Sequence, residues 1–148
     1  MRKIILITSA ALFYFGTAIE TQAEVISCVN GKYANGEACE RCGDNCNWSF
    51  DTTSGKLSVS GSGKMYDYNG YWDSENNVYF SDTPWNSFSG HIKSVDVQGV
   101  SNIGKRAFWG TSGALRTATI ADSVTSIGQG AFYNANLAGI TLPETLEK

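Results

Sequence analysis

Histidine and proline are scarce in this sequence, and basic residues do not predominate. The 148 residues include one histidine, His91, and two prolines. A single histidine removes most metal sites and catalytic triads that depend on imidazole. The 14 acidic residues outnumber the 11 basic ones, giving a net charge of −3, whereas a nucleic-acid-binding protein shows a basic face. We therefore expect no nucleic acid among the partners of this chain.

Sequence motifs of the common enzyme classes are also missing. The chain contains no G-x-S-x-G, no H-E-x-x-H and no P-loop motif, which respectively position a nucleophilic serine, a zinc ion and a nucleotide phosphate. We predict no catalytic residue, no metal ion and no cofactor. An exported enzyme with an unfamiliar site is the remaining alternative.

The first 23 residues have the layout of a secretory signal peptide. A positive end at residues 2–3 is followed by residues 4–19 without a charge, and small residues precede a cut between Ala23 and Glu24. This order matches the three parts of such a peptide. A membrane anchor is the alternative, but the sixteen uncharged residues are short against the ~20 that a membrane span needs. We expect cleavage after Ala23, no transmembrane helix in the mature chain, and a secreted or cell-surface location.

Four cysteines lie within nineteen residues, directly after the predicted signal peptide: Cys28, Cys39, Cys42 and Cys46. An even number of cysteines in an exported chain is typical of disulfides, and four cysteines allow three pairings. A zinc site is one alternative, but the spacing lacks the two C-x2-C pairs of common zinc folds. A lipid-modified Cys28 is another, although it would leave an odd number of cysteines.

Two short segments after the cysteines alternate between polar and apolar residues, at 47–50 and 56–60. The residues between them, 51–55, are aspartate, threonine, serine and glycine, which are typical of turns. Two alternating segments around a glycine-containing turn predict an antiparallel β-hairpin. Its buried face is predicted to carry Trp48, Phe50, Leu57 and Val59.

Residues 65–88 are rich in aromatic side chains, with aspartate and asparagine between them. Aromatic rings can stack on the apolar faces of sugars, so this composition permits glycan binding. The alternative is that the rings close one end of a hydrophobic core. We predict a loop at residues 69–82 that exposes aromatic side chains. The candidate glycan-binding residues are Tyr71, Trp72 and Tyr79.

The C-terminal third of the sequence contains an internal repeat. Residues 100–109 align with residues 124–133 at an offset of 24, and five of the ten aligned positions are identical. Three apolar patterns flank these segments, with starts 23 and 22 residues apart: Ile92-x-x-Val95-x-Val97, Leu115-x-x-Ala118-x-Ile120 and Leu137-x-x-Ile140-x-Leu142. A period in this range is typical of leucine-rich repeats.

The spacing within each repeat predicts one coil of a solenoid. The last two apolar residues of each pattern are two apart, so both point to the same side of a short strand. A glycine then permits a sharp bend, and an Ala-Phe pair fits a short helical turn with the ring inside the coil. The predicted fold is α/β and β-rich: a short right-handed leucine-rich-repeat solenoid with one strand and one helical turn per ~23 residues. Its structural core residues are Ile103, Gly104, Phe108, Ile127, Gly128 and Phe132.

The repeat signature resembles the BspA-like leucine-rich-repeat family of microbial surface proteins. Ser126-Ile127-Gly128 with Ala131-Phe132, and Asn102-Ile103-Gly104 with Ala107-Phe108, carry the resemblance. Residues 42–48, 60–68 and 83–85 are similar to the cap that precedes these repeats. The resemblance implies an exported protein that binds extracellular or host proteins in adhesion, with no catalytic residues.

The cysteine segment carries a second resemblance. The stretch from Cys28 through Gly31 and Tyr33 to Cys39-x-x-Cys42 is similar to small extracellular cysteine-rich modules whose first two cysteines pair. That similarity implies the disulfides Cys28–Cys39 and Cys42–Cys46. The other two pairings stay open: Cys28–Cys42 with Cys39–Cys46, and Cys28–Cys46 with Cys39–Cys42.

These features divide the chain into four parts. They are a signal peptide at 1–23, a cysteine-rich segment at 24–46, a hairpin and aromatic cap at 47–90, and leucine-rich repeats at 91–148. We expect ligand contacts on the strand face of the repeats, through Lys93, Asp96, Arg116, Thr117, Thr119 and Thr141. The repeats make two full coils and a partial one, so the last strand edge is predicted to be uncovered and able to self-associate.

Overall fold

The computed structural model describes residues 24–111 and 113–147. The predicted signal peptide lies outside the described residues. One short 3-10 helix, Asn86–His91, lies between the fifth and sixth strands. The strands are β1 (Val25–Cys28), β2 (Gly43–Asp51), β3 (Lys56–Met65), β4 (Gly70–Asp73), β5 (Val78–Ser81), β6 (Ser94–Val97), β7 (Asn102–Ile103), β8 (Thr117–Ile120), β9 (Ser126–Ile127) and β10 (Gly139–Thr141).

The main sheet joins antiparallel and parallel strands in the order β1-β2-β3-β6-β8-β10. Strands β1, β2 and β3 pair antiparallel, whereas β6, β8 and β10 continue the sheet from β3 as parallel neighbours. The predicted hairpin is confirmed as β2–β3, and the four side chains assigned to its inner face are all buried. Antiparallel strands need only a short turn, while parallel strands need a longer return path, which the repeats supply.

Strand β3 takes the place of a coil that precedes the repeats. Its first half pairs with β6, and Lys64 near its end pairs with Asn102 in β7. Strand β7 in turn pairs in parallel with β9. Between the two halves of β3, Gly61 has a φ of 134° and Gly63 a φ of 73°, which suits glycine because it has no Cβ. One strand therefore pairs with both strands of the first coil.

Hydroxyl groups at equivalent places connect successive coils. Ser101 Oγ donates to the carbonyl of Gly63 at 3.0 Å, and Thr125 Oγ1 donates to the carbonyl of Ser101 at 3.3 Å. The backbone amides of Ser101 and Thr125 donate to the same two carbonyls. Each coil is thus tied to its predecessor by paired side-chain and main-chain bonds.

The segments that follow Gly104 in the first coil and Gly128 in the second coil are turns, so the predicted helical turn is wrong. In the first coil Arg106 has a φ of 55°, and in the second Gly130, at the equivalent position, has a φ of 66°. A positive φ cannot continue a right-handed helix. A second pair of equivalent residues, Gly110 and Asn134, repeats the same conformation with φ of 71° and 60°. The chain is therefore reversed by successive turns.

Residues 69–82 form a hairpin, which corrects the predicted loop. Strands β4 and β5 pair antiparallel over four residues each. Asp73 Oδ1 accepts hydrogen bonds from the amides of Glu75 and Asn76, at 3.0 and 3.2 Å, and so closes the turn. The polar residues of this segment are thus concentrated in the turn, and the aromatic residues lie on the strands.

A column of aromatic rings runs through the core. Trp48 meets Trp85 edge-on at 6.3 Å between ring centroids, Trp85 stacks on Phe108 at 5.5 Å, and Phe108 stacks on Phe132 at 5.2 Å. The first three rings are buried, and Phe132 is half-buried. The predicted core residues of the first repeat are likewise buried, whereas Ile127 and Gly128 of the second are half-buried.

The cysteine-rich segment contains two disulfides, Cys28–Cys39 and Cys42–Cys46, with Cα atoms 5.9 and 5.1 Å apart. This is the pairing that the resemblance to cysteine-rich modules implies. The segment packs on the sheet through Trp48, whose Nε1 donates to the carbonyl of Glu40 at 2.9 Å.

Candidate functional site

The outer face of the main sheet carries polar side chains in register across all six strands. The residues on either side of these positions face the opposite side of the sheet, so alternation along each strand places the polar ones on the outside. One row across the sheet is Ser27, Ser49, Ser58, Asp96, Thr119 and Thr141. Neighbouring strands lie about 4.8 Å apart, so this row spans about 24 Å. We call this surface the outer face.

Four of the predicted contact residues lie on the outer face. Asp96, Thr119 and Thr141 are aligned in the same row, and Thr117 lies in the next row, opposite Ser94 of β6. The three threonines are exposed and Asp96 is half-buried. The structure therefore brings these four side chains onto one surface.

Lys93 and Arg116 lie just before strands β6 and β8 and border the outer face. The amide of Arg116 donates to the carbonyl of Lys93 at 2.8 Å, so the two residues occupy stacked positions in successive coils. Arg116 Nη1 also donates to the carbonyl of Asn136 at 3.5 Å. Both cations are exposed, and neither forms an ion pair within residues 24–111 and 113–147.

Asp96 is held by two neighbours within the protein. Gln98 Nε2 donates to Asp96 Oδ1 and Lys56 Nζ lies by Asp96 Oδ2, both at 2.8 Å. The hydrogen bond from Gln98, followed by that from Lys56, lowers the pKa of the Asp96 carboxyl. A partner that approaches Asp96 therefore meets a carboxylate that already has two donors.

Sequence reasoning missed the part of the outer face that lies on β2 and β3. Lys56 and Ser58 alternate with Leu57 and Val59, so their outward orientation follows from the predicted hairpin. No pattern in the sequence indicates that Lys56 pairs in parallel with Ser94, or Ser58 with Asp96. That pairing makes the hairpin and the coils one continuous surface.

The three candidate glycan-binding residues do not share one surface. Tyr71 stacks on Phe80 across the β4–β5 hairpin, with centroids 5.5 Å apart. Trp72 packs on Tyr79 at 4.5 Å, on the other side of the hairpin, and Tyr79 meets Trp109 at 5.1 Å. Tyr71 is 61% exposed and Trp72 44% exposed, so each remains accessible on its own side.

Comparison with known proteins relates the repeats to one family. Residues 82–148 match the model of a family described as BspA type leucine rich repeat region (6 copies). This part of the chain is therefore similar to BspA-type leucine-rich repeats. A search of curated proteins finds no match.

A crystal structure of a leucine-rich repeat protein from Eubacterium ventriosum ATCC 27560 is similar to the chain. The TM-score is 0.62 and the sequence identity 26%, and the match covers 84% of this chain. The chain spans 28% of the length of that protein. The similarity thus includes most of the N-terminal half as well as the BspA-type repeats.

The match to the BspA-type repeats begins at residue 82, inside the segment predicted as the cap. Trp85 lies in this part and stacks on Phe108 as Phe108 stacks on Phe132. Phe108 and Phe132 are the stacked rings of the first and second coils. Trp85 lies one place earlier in the same stack, so its indole has the position that the ring of a preceding coil would have.

Two kinds of feature are not found in the described residues. The described ranges contain no group of three or more histidine, cysteine, aspartate or glutamate side chains that could hold a metal ion. No helix in those same ranges has the length and apolar character required to cross a membrane.

Proposed function

We propose that this protein is an exported interaction module that contacts extracellular or host proteins through the outer face, in adhesion at a cell surface. BspA-type repeats support a role in protein interaction. The observation that carries the proposal is the row of aligned polar side chains across six strands. Leucine-rich repeats bind many ligands, so the fold alone names no partner.

The size of the outer face indicates the strength of binding. Six strands at about 4.8 Å and four residues at about 3.3 Å give a rectangle of roughly 24 by 13 Å, or about 300 Å². A stable complex buries about 800 Å² on each partner. We therefore expect a weak contact from this face alone, strengthened when several copies or further coils engage together.

Export is supported by the two disulfides, because disulfides persist in oxidising compartments. The predicted signal peptide at residues 1–23 agrees with this location, and we propose that it is cleaved after Ala23. We also propose that the stacked coils form a right-handed solenoid. Mass spectrometry of the exported protein measures the cleavage site and tests for a lipid on Cys28 in the same experiment.

Binding to immobilised extracellular-matrix proteins tests the outer face. Reversing the two unpaired cations in the double variant Lys93→Glu with Arg116→Glu should lower the amount of protein that is captured. Adding Asp96→Lys, which reverses a third charge on the same face, should change the captured amount again. Lys32→Glu is the matched control, since Lys32 is exposed in the cysteine-rich segment. Equal capture by all of these variants and the unaltered protein would rule out the outer face as the contact surface.

Self-association through β10 is a further proposal about partners. Within the described residues β10 pairs only with β8, and Ile140 and Leu142 are 40% and 49% exposed. An exposed strand edge with apolar side chains can pair with another chain. Sedimentation velocity should show concentration-dependent dimers that Ile140→Lys abolishes. A monomer at every concentration would contradict this proposal.

Glycan binding by the aromatic hairpin is the alternative function. The exposure of Tyr71 and Trp72 favours it, and Tyr79 supports the Trp72 side. A glycan array should then show hits that are lost in Trp72→Ala or in Tyr71→Ala, and the two variants separate the two sides of the hairpin. An array without hits would remove this alternative.

A further inference from the structure

A groove of about 530 Å³ lies between the cysteine-rich segment and the base of the β4–β5 hairpin. Its lining includes Glu40, Arg41, Tyr66, Asp67 and Asp82. A smaller cavity of about 230 Å³ shares Asp82 with it and extends toward the stacked rings of Tyr71 and Phe80. We call the two cavities together the cap groove.

The charges of the cap groove are unbalanced. None of its three carboxylates, Glu40, Asp67 and Asp82, forms an ion pair in the part of the chain that the structure describes. The guanidinium of Arg41 donates instead to the carbonyls of Asp44 and Asn30, at 3.0 and 3.1 Å. Three negative groups and one positive group leave an excess of two negative charges in the lining.

The main chain holds two of these carboxylates in place. Asp67 Oδ1 accepts a hydrogen bond from the amide of Lys105 at 2.7 Å, and Asp82 Oδ1 accepts one from the amide of Asn69, also at 2.7 Å. Asp67 Oδ2 has no hydrogen-bond partner within residues 24–111 and 113–147. A ligand can therefore use a carboxylate that is already oriented, which lowers the entropic cost of binding.

The side chain of Tyr68 lies at the floor of the groove, close to its negative charges. Tyr68 is buried there, and its hydroxyl donates to the carbonyl of Cys42 at 3.4 Å. Burial raises the pKa of Tyr68, and the charges of Asp82 and Glu40 raise it further. Two carboxylates from separate segments thus act at the same point.

Aromatic rings line both ends of the groove. Tyr66 is 43% exposed, and its hydroxyl donates to Asp44 Oδ1 at 2.7 Å, which fixes the ring at the rim. Tyr71 is exposed at the other end, where Phe80 supports its ring. The faces of such rings attract cations, so the aromatic walls and the carboxylates favour the same kind of ligand.

We propose that the cap groove binds a lysine or arginine side chain of a partner protein. The excess of unpaired carboxylates complements a cation, and the two tyrosines lie beside it in separate cavities. A neutral sugar fits less well, because the rings of Tyr66 and Tyr71 do not form one platform for stacking. The site is separate from the outer face and adds a second contact for a basic segment.

Peptide titration followed by ¹H–¹⁵N NMR tests the proposal on the disulfide-bonded protein. The probe is a blocked hexapeptide of alternating lysine and glycine, and the control peptide carries acetyl-lysine at the same positions. Lysine peptide should shift the amides of Tyr66, Asn69 and Lys105, and binding should weaken as salt is added. The acetylated peptide should leave these signals unchanged.

Two variants each remove one negative charge from the groove, and Asp82→Asn also removes one of the two acceptor oxygens that bind Asn69. Glu40→Gln and Asp82→Asn should each weaken binding of the lysine peptide by about two- to five-fold, the range of an exposed ion pair. The side chain of Glu40 forms no hydrogen bond within the described residues, so Glu40→Gln changes the charge of the site and leaves the hydrogen bonds of the fold intact. Glu144→Gln, with the same charge change at the far end of the chain, should bind as the unaltered protein does.

Three results would overturn the proposal. They are equal binding of the acetylated peptide, equal weakening by Glu144→Gln, and groove shifts with cellobiose in place of the lysine peptide. The double variant Lys93→Glu with Arg116→Glu should bind the lysine peptide at least as strongly as the unaltered protein does. That pair of variants separates a failure of the cap groove from a failure of the outer face.

Discussion

The rings of Trp85 and Phe108 stack with centroids 5.5 Å apart and an angle of 17° between their planes. The indole Nε1 of Trp85 also donates to the carbonyl of Ala107, next to Phe108, at 2.9 Å. Both side chains are almost fully buried. A residue before the first recognised repeat is therefore fixed to that repeat by a ring contact and a directional hydrogen bond.

The aromatic column predicts that removing a ring lowers the free energy of unfolding more in the first coil than in the second. Phe108→Ala should lower the free energy of unfolding by about 3–5 kcal/mol, as expected for a buried ring. Phe132→Ala should cost less, because Phe132 is only half-buried. Tyr133→Ala is the control, since Tyr133 is 63% exposed. Urea denaturation measures all three, and equal stabilities for Phe108→Ala and Tyr133→Ala would refute the placement of the ring.

The bend at Gly104 predicts that a single methyl group is harmful there. A Cβ at this position would overlap the carbonyl oxygen of Tyr66. Gly104→Ala should therefore destabilise the protein by about 1–3 kcal/mol or more, because a main-chain neighbour must move. Gly90→Ala is the matched control, since a Cβ at Gly90 meets no atom within 4 Å. Thermal melting that gave both variants the same midpoint would contradict the close approach.

The two disulfides should differ in their contribution to stability. Cys28–Cys39 joins residues 11 apart in sequence, and Cys42–Cys46 joins residues 4 apart. The longer loop constrains the unfolded chain more, giving about 3 against about 2 kcal/mol by loop entropy. Paired Cys→Ala variants in urea denaturation measure this difference.

Reduction should affect the cysteine-rich segment more than the repeats. Hydrogen exchange of the reduced protein should lose protection mainly at residues 28–46, because the strands of the repeats are held by main-chain pairing that contains no cysteine. Loss of protection at β8 as early as at β1 would show that the repeats depend on the disulfides.

The pKa of Asp96 predicts a dependence of stability on pH. Hydrogen bonds from Gln98 and Lys56 lower the pKa of Asp96 in the folded protein, below the ~3.9 of an unfolded chain. The ionised carboxylate therefore stabilises the fold above about pH 4, and this contribution is lost as the pH falls through the lowered pKa. Asp96→Asn should cost below about 1 kcal/mol at pH 7, because the pair is partly exposed.

Denaturation of Asp96→Asn at pH 7 and at pH 3 measures this effect. The difference from the unaltered protein should shrink at the acidic pH. Lys56→Gln, which removes one of the two donors, should give a smaller version of the same trend. A difference that stayed constant with pH would mean that the carboxylate charge does not contribute.

Periodicity in the sequence was a good guide to the strands of the repeats and to the first hairpin. Alternation of Trp48 and Phe50, and of Leu57 and Val59, reflects burial of one side of a sheet, a requirement that leaves a direct mark on residue order. The turns of the coils left no comparable mark. Arg106 adopts a positive φ that its residue type does not suggest, so the expected helical turn was wrong.

The candidate sites show the same division between local and tertiary information. The threonines of β8 and β10 were predicted because the strand spacing repeats along the chain. The cap groove was not, because Glu40, Asp67 and Asp82 come from three segments that only packing brings together. No sequence spacing connects these carboxylates.

The double pairing of β3 has a consequence for how the protein folds. The β2–β3 hairpin closes a short loop and forms from neighbouring residues, so its entropic cost is small. Each parallel strand of the repeats pairs with residues at least 22 positions earlier in the sequence. Strand β3 is the first strand edge that is available for such pairing. We therefore expect β3 to act as the template from which the coils assemble in order, from the amino-terminal end onward.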